Sequence, residues 1–262
     1  MRWTEQAHRI LDDLDRTQQA PIERASQIAA RSIGAGGLVH AFGTGHSRIP
    51  IEELFPRYGS YPGFSPLAEL SMTFHTQVVG ANGQRQAMFI ERVEGLADVI
   101  LANFELRPRD SMIIFSATGL NAVPIEMAMG ARKAGLAVIV VTSLAATNAA
   151  AARHSSGTKL CDHADVVIDL CTPVGDALCT IAGLDTPVGP GSTLAAVAIV
   201  NEIKVRTAEL LVAAGRMPSV LTSGQLIGAE RSAALFEDAY LDHAARAADV
   251  LRKKPFPPGQ EN

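Results

Sequence analysis

The chain has 262 residues, 47% of them hydrophobic, and a formal net charge of −4 at pH 7. That length and apolar content suit one large α/β domain and exclude a disordered chain. There is no lysine/arginine block, no apolar run near the roughly 20 residues of a membrane span, and no signal-peptide core in Met1-Arg2-Trp3-Thr4-Glu5. A cytoplasmic protein with no nucleic-acid or membrane partner is expected. Cys161, Cys171 and Cys179 lack zinc-ribbon spacing and read as ordinary reduced thiols.

The chain opens with a helical pattern. Ile10, Leu14, Ile22, Ala25 and Ile28 repeat an apolar face, Pro21 predicts a break between two helices, and Gly34-Ala35-Gly36-Gly37 ends the second. Leu38 to Phe42 is predicted as the first strand, and a helix is expected from Ile49 to Arg57 with Pro50 in its first turn. Tyr58 to Pro66 is rich in proline and glycine and reads as loop. Thr76 to Gly80 is predicted as a short strand, and Gln86 to Asn103 as one amphipathic helix. Strand and helix then alternate: strand from Met112, helix 121–134, strand 136–142, short helix 145–154, strand 164–170. Thr172 to Pro190 reads as loop. Ser192, read as an N-cap, begins a long helix to Ala214, and 229–252 forms a last helix. Continuous apolar strands between helices predict a parallel sheet covered on both faces. The whole chain, 1–262, reads as one domain, with a core over about 35–215 and helical extensions at 1–34 and 216–254.

Two loops carry the functional signal. Gly43-Thr44-Gly45-His46-Ser47 follows the first strand, and Ser116-Ala117-Thr118-Gly119-Leu120-Asn121 follows the strand at Met112. Each is small, bears hydroxyls and opens a helix, where free N–H groups and the helix dipole favour an anion. In a parallel sheet both lie at the carboxyl ends of strands, where ligands bind. Caps alone explain either loop singly; the pair at matching positions predicts a phosphorylated small molecule. A dinucleotide fingerprint is not met, because Arg48 stands where the third glycine belongs, and no P-loop is present.

These loops, with Ala134-Gly135-Leu136-Ala137-Val138-Ile139-Val140-Val141-Thr142-Ser143, resemble the sugar isomerase (SIS) domain. The resemblance covers roughly residues 5 to 215. It implies a three-layer, flavodoxin-like sheet of five parallel strands that binds phosphosugars, in isomerases, an amidotransferase, an etherase and transcription regulators. The chain looks most similar to a bacterial SIS-domain group with the Gly-x-Gly-His-Ser loop followed by a Glu-Glu pair and an Arg. Glu52-Glu53-Leu54 is also similar to the Glu-Glu-Leu segment of sedoheptulose 7-phosphate isomerases, which implies Glu53 as the base for proton transfer between C1 and C2. Ile49 stands where those isomerases carry a His, and the helix from Ser192 to Ala214 has none, so no metal site like theirs and no cofactor are expected.

The expected site is therefore Glu53 and His46 for catalysis, and Gly45, Ser47, Arg48, Ser116, Thr118, Gly119 and Asn121 for a sugar phosphate. His75 is a second candidate acid, Glu69 a second candidate base, and Arg57 a further phosphate partner. The resemblance implies a homodimer or homotetramer. The leading expectation is an aldose–ketose isomerase; a free-standing sugar-phosphate sensor and a sugar-phosphate ether lyase are the rivals.

Overall fold

The computed structural model describes residues 2–73 and 84–251. The expected strand at 76–80 and His75 lie outside these residues. The sheet has the order β2-β1-β3-β4-β5 and is parallel throughout. Its strands are β1 (Val39–Gly43), β2 (Phe64–Pro66), β3 (Ser111–Phe115), β4 (Ala137–Thr142) and β5 (Val166–Asp169). This is the flavodoxin-like order, and it reverses direction between β1 and β3. The second strand lies in the segment read as loop. It is three residues long and ends in proline, which an edge strand tolerates because its outer N–H needs no partner.

Side chains alternate across the sheet with period two. Val39, Ala41, Ile113, Phe115, Ile139 and Val141 face one apolar core; Phe42, Met112, Ile114, Val138 and Val140 face the other. The first core is covered by α1 (Arg2–Thr17), α2 (Gln19–Gly34) and the long α9 (Ser192–Ala213). Ile10, Leu14, Ile22, Ala25, Ile28 and Ile33 are buried there, so the segment read as an extension packs as a layer of the core. Helix α2 begins before Pro21, whose missing N–H costs nothing in a first turn. The second core is covered by α7 (Ala122–Lys133) and by α6 (Leu96–Leu101).

The remaining helices are short: α3 (Ile49–Leu54), α4 (Leu70–Thr73), α5 (Gln84–Ile90), α8 (Leu144–Asn148) and α10 (Gly224–Ile227). A final helix, α11 (Ala229–Val250), runs to the end of the described residues. The amphipathic helix expected over 86–103 is two helices, because the Gly95 N–H turns to the Glu126 carboxylate instead of continuing a helical ladder. The loop expected over 172–190 holds an antiparallel hairpin, β6 (Ala177–Cys179) with β7 (Val188–Pro190). Asp176 just before it accepts the Gly191 and Ser192 N–H groups at 3.1 and 2.7 Å and the Ser192 hydroxyl at 2.6 Å. The cap of α9 is thus supplied from across the hairpin and not by Ser192 itself. Among the described residues no helix is long and apolar enough to cross a membrane.

Candidate functional site

A cavity of about 270 Å³ opens at the carboxyl ends of β1 and β3, where the strand order reverses. The first loop contributes Thr44, Gly45, His46 and Ser47, and the second contributes Ser116, Ala117, Thr118 and Asn121. Phe115, Val141 and Leu170 form apolar lining from the strand ends. Ala87, Met88 and Glu91 line it from α5 and the residue after it, and Ser192, Thr193 and Ala196 from the first turns of α9. The two hydroxyl loops expected to share a sheet edge therefore share one cavity.

Close backbone approach shapes the first loop. A Cβ on Gly43 would lie 2.6 Å from the Ser47 carbonyl oxygen, so only glycine lets the chain fold back into the short 3-10 turn Gly45–Arg48. The second loop is held by its neighbours. The Gly119 N–H donates to Ser116 Oγ at 3.1 Å, the Thr147 hydroxyl donates to the Thr118 carbonyl at 2.8 Å, and the Leu160 N–H donates to the Gly119 carbonyl at 3.0 Å. Gly119 has φ +66 and an added Cβ would meet Thr147 Oγ1 at 3.2 Å, so it shapes the loop and is not among the lining residues. Asn121 is the N-cap of α7 by position, yet its side chain makes no cap bond, and it lines the cavity.

Of the nine expected site residues, Gly45, His46, Ser47, Ser116, Thr118 and Asn121 line the cavity. Arg48, Gly119 and Glu53 are not among its lining. The Arg48 guanidinium pairs with Glu52, one helical turn on. Glu53 lies on α3, and its carboxylate pairs with Arg57 at 2.7 Å and with Lys204 Nζ of α9 at 3.5 Å. Burial acts to raise its pKa, but Arg57, Lys204 and Asn201 outweigh it and hold the carboxyl below its ordinary value. Lys204 is itself buried, which pushes its ammonium pKa down, and it also donates to the Glu53 carbonyl at 3.0 Å. The pair thus fastens α3 to α9. Arg57, on the turn after α3, belongs to that same cluster.

The sequence reading missed Glu91, the carboxylate among the described lining residues. Burial pushes its pKa up, against the lowering effects of a hydrogen bond from the Thr44 hydroxyl and of nearby Arg92. Its carbonyl accepts the Val123 N–H of α7 at 3.1 Å. Glu91 is therefore anchored by its backbone to one loop's helix and by its side chain to the other loop. Thr44 and Thr193 also line the cavity without a sequence signal of their own, and Ser192 reads from sequence only as a cap. Chemically, the cavity offers hydroxyls, an amide, an exposed imidazole at His46 and one half-buried carboxylate with a raised pKa.

The comparisons with known proteins agree with this architecture. The SIS-domain family model matches residues 2–143. A UPF0309 protein of Streptomyces coelicolor is 37% identical over 209 residues, covering 79% of this chain and 81% of that one. A UPF0309 protein of Listeria monocytogenes is 33% identical over 232 residues, covering 88% and 92%. Among solved structures, a phosphoheptose isomerase from Francisella tularensis aligns with a TM-score of 0.51 at 14% identity, over 79% of this chain and 95% of that one. Another from Neisseria gonorrhoeae gives 0.50 at 13%, over the same shares. At such identities these two alignments speak for the fold alone. The sequence relatives and the family model carry the assignment: the chain belongs to the SIS-domain family, within its UPF0309 group.

Proposed function

We propose that the cavity binds a phosphorylated sugar and that the protein interconverts its aldose and ketose forms. The supporting observation is the lining itself: two hydroxyl-bearing loops and the first turn of α9 enclose one half-buried carboxylate, Glu91. Ser47, Ser116 and Thr118 hold the phosphate with loop N–H groups, and the N-terminus of α7 adds its dipole. Asn121 and Thr193 bind sugar hydroxyls. Glu91 removes the C2 proton of the aldose as a general base, leaving an enediol, and returns it to C1. The hydroxyl proton moves from O2 to O1, with His46 the nearest imidazole to relay it. A carboxyl whose pKa is raised by burial is better matched to this proton transfer near neutral pH than an ordinary one. The two solved neighbours, both phosphoheptose isomerases, are in keeping with this substrate class.

A second reading keeps Glu53 as the base, as the family resemblance implies, with Lys204 beside it as the acid. It is favoured by the coupling of a carboxylate to a buried lysine, and it requires substrate to reach α3, outside the cavity lining. The proposed protein is a cytoplasmic homodimer or homotetramer, in line with the apolar side chains Val205, Val212, Phe236, Tyr240 and Leu241 exposed on α9 and α11. A melting-temperature screen against aldose phosphates, ketose phosphates, the free sugars and inorganic phosphate tests the binding claim. Stabilisation by phosphorylated sugars, and not by the free sugars, is expected by mass action. A chain indifferent to every sugar phosphate overturns it. If the phosphosugars bind without turnover, the sensor reading takes its place.

A further inference from the structure

Away from the cavity lining, three side chains from three separate segments converge. Glu94 lies in the turn between α5 and α6, Glu126 on α7, and His154 in the loop after α8. One donor atom from each lies within 4.8 Å of the other two. His154 Nε2 is 3.3 Å from Glu126 Oε1 and 3.9 Å from Glu94 Oε1. The His154 and Glu126 side chains are 6% and 14% exposed, whereas Glu94 is 41% exposed and forms the open side. Two carboxylates this close repel each other, and among the described residues His154 is the ion-pair partner of both.

Outer hydrogen bonds aim each group inward. The Glu94 carboxylate accepts the Ser155 N–H at 2.8 Å and the Ser155 hydroxyl. The Gly95 N–H lies 2.8 and 2.9 Å from the two Glu126 oxygens. On the far side of the imidazole, Nδ1 is 2.8 Å from Ser156 Oγ. When Nδ1–H donates there, the Nε2 lone pair faces the two carboxylates, the orientation that outer partners impose on a metal-bound histidine. The Ser156 N–H also reaches Nδ1, at 3.1 Å. That bond favours the opposite tautomer, in which Nε2–H donates to Glu126.

We propose that Glu94, Glu126 and His154 form a divalent-cation site of the zinc type, separate from the sugar cavity. Donor atoms bonded tetrahedrally at about 2.0–2.1 Å stand roughly 3.3 Å apart. The His154–Glu126 pair already has that separation, and the His154–Glu94 pair needs to close from 3.9 Å. Two carboxylates balance the dication, an imidazole nitrogen selects zinc-like ions over magnesium and calcium, and water completes the shell on the open side. No sequence motif marks the site, because each ligand comes from a different segment. The bound ion joins the Glu91–Gly95 turn to α7 and to the loop after α8.

The test uses the full chain stripped of metal with a chelator. Titration with ZnCl2 by calorimetry is expected to give one ion per chain and a higher Tm, with no such effect from MgCl2 at the same concentration. Co2+ in place of Zn2+ is expected to develop visible d–d absorption. His154→Gln and Glu126→Gln are each expected to weaken zinc binding at least 10-fold. Glu94→Gln, at the exposed ligand, keeps the test alive if either buried variant fails to fold. No stoichiometric zinc binding, equal binding of magnesium, or undiminished binding by the folded variants overturns the proposal.

Discussion

Glu53 and Glu91 both adjoin the first loop, and their surroundings divide them. Glu53 faces α9, where Arg57 and Lys204 stabilise its charge and hold its pKa down. Glu91 faces the cavity, where burial destabilises its charge and pushes its pKa up, with Thr44 opposing. One carboxylate is committed to an ion pair between helices; the other is half-buried in the lining of the cavity. Environment, and not residue type, gives the two carboxyls opposite pKa shifts.

The largest expected effect comes from Glu91→Gln. If Glu91 moves the substrate proton, turnover falls by about 10²–10⁴-fold, the usual worth of a positioned acid–base group. Stability moves the other way. A carboxyl whose folded pKa is raised is favourable while protonated, and that contribution is lost as pH rises from about 4.3, the unfolded value, through the folded one. The glutamine variant escapes this loss. Its Tm relative to the parent is therefore expected to improve between pH 4 and pH 7. A variant that instead falls further behind as pH rises breaks the contrast.

Glu53→Gln is expected to act on stability. It leaves the Lys204 ammonium, 7% exposed, without its acidic partner. Because Glu53 is itself 21% exposed, the loss is placed at about 1–3 kcal/mol, below that of a fully buried pair. Urea unfolding of the single variants and of Glu53→Gln with Lys204→Met isolates the coupling between them. Additive effects contradict the view that this pair holds α3 to α9.

Ser47→Ala removes one hydroxyl from the cavity and is expected to weaken sugar-phosphate binding about 10- to 100-fold, the value of one hydrogen bond to a charged group. Calorimetry reads this directly. The smallest effect belongs to Arg48→Ala. Its guanidinium pairs along the helix with Glu52, and affinity is expected to change by less than about 2-fold, as for a surface ion pair. A tenfold loss there puts Arg48 on the phosphate after all.

The contrast between the two carboxylates also marks where the sequence was legible. The hydroxyl loops stand out because each joins an apolar strand to a helix, a local signal carried by adjacent residues. Strands β1, β3, β4 and β5 were legible for the same reason, as continuous apolar runs. Strand β2 was not, because three residues ending in proline carry no periodicity. Glu91 was hidden inside what reads as a continuous amphipathic helix; the Val123 N–H on its carbonyl, Thr44 on its carboxylate and the Gly95 turn held by Glu126 break that stretch and bring it to its place. Ser192 reads as a cap, but Asp176 across the hairpin takes that role and leaves the first turn of α9 at the cavity. Glu53 carried a motif match, yet a motif fixes only its position on α3 and not the lysine of α9 that meets it.

The most direct measurement is deuterium uptake from heavy water at C2 of an aldose phosphate that the protein binds, compared among the parent, Glu91→Gln and Glu53→Gln. Exchange that disappears in Glu91→Gln and persists in folded Glu53→Gln is the predicted result. Exchange that persists in Glu91→Gln and disappears in Glu53→Gln contradicts the account and returns the base to α3.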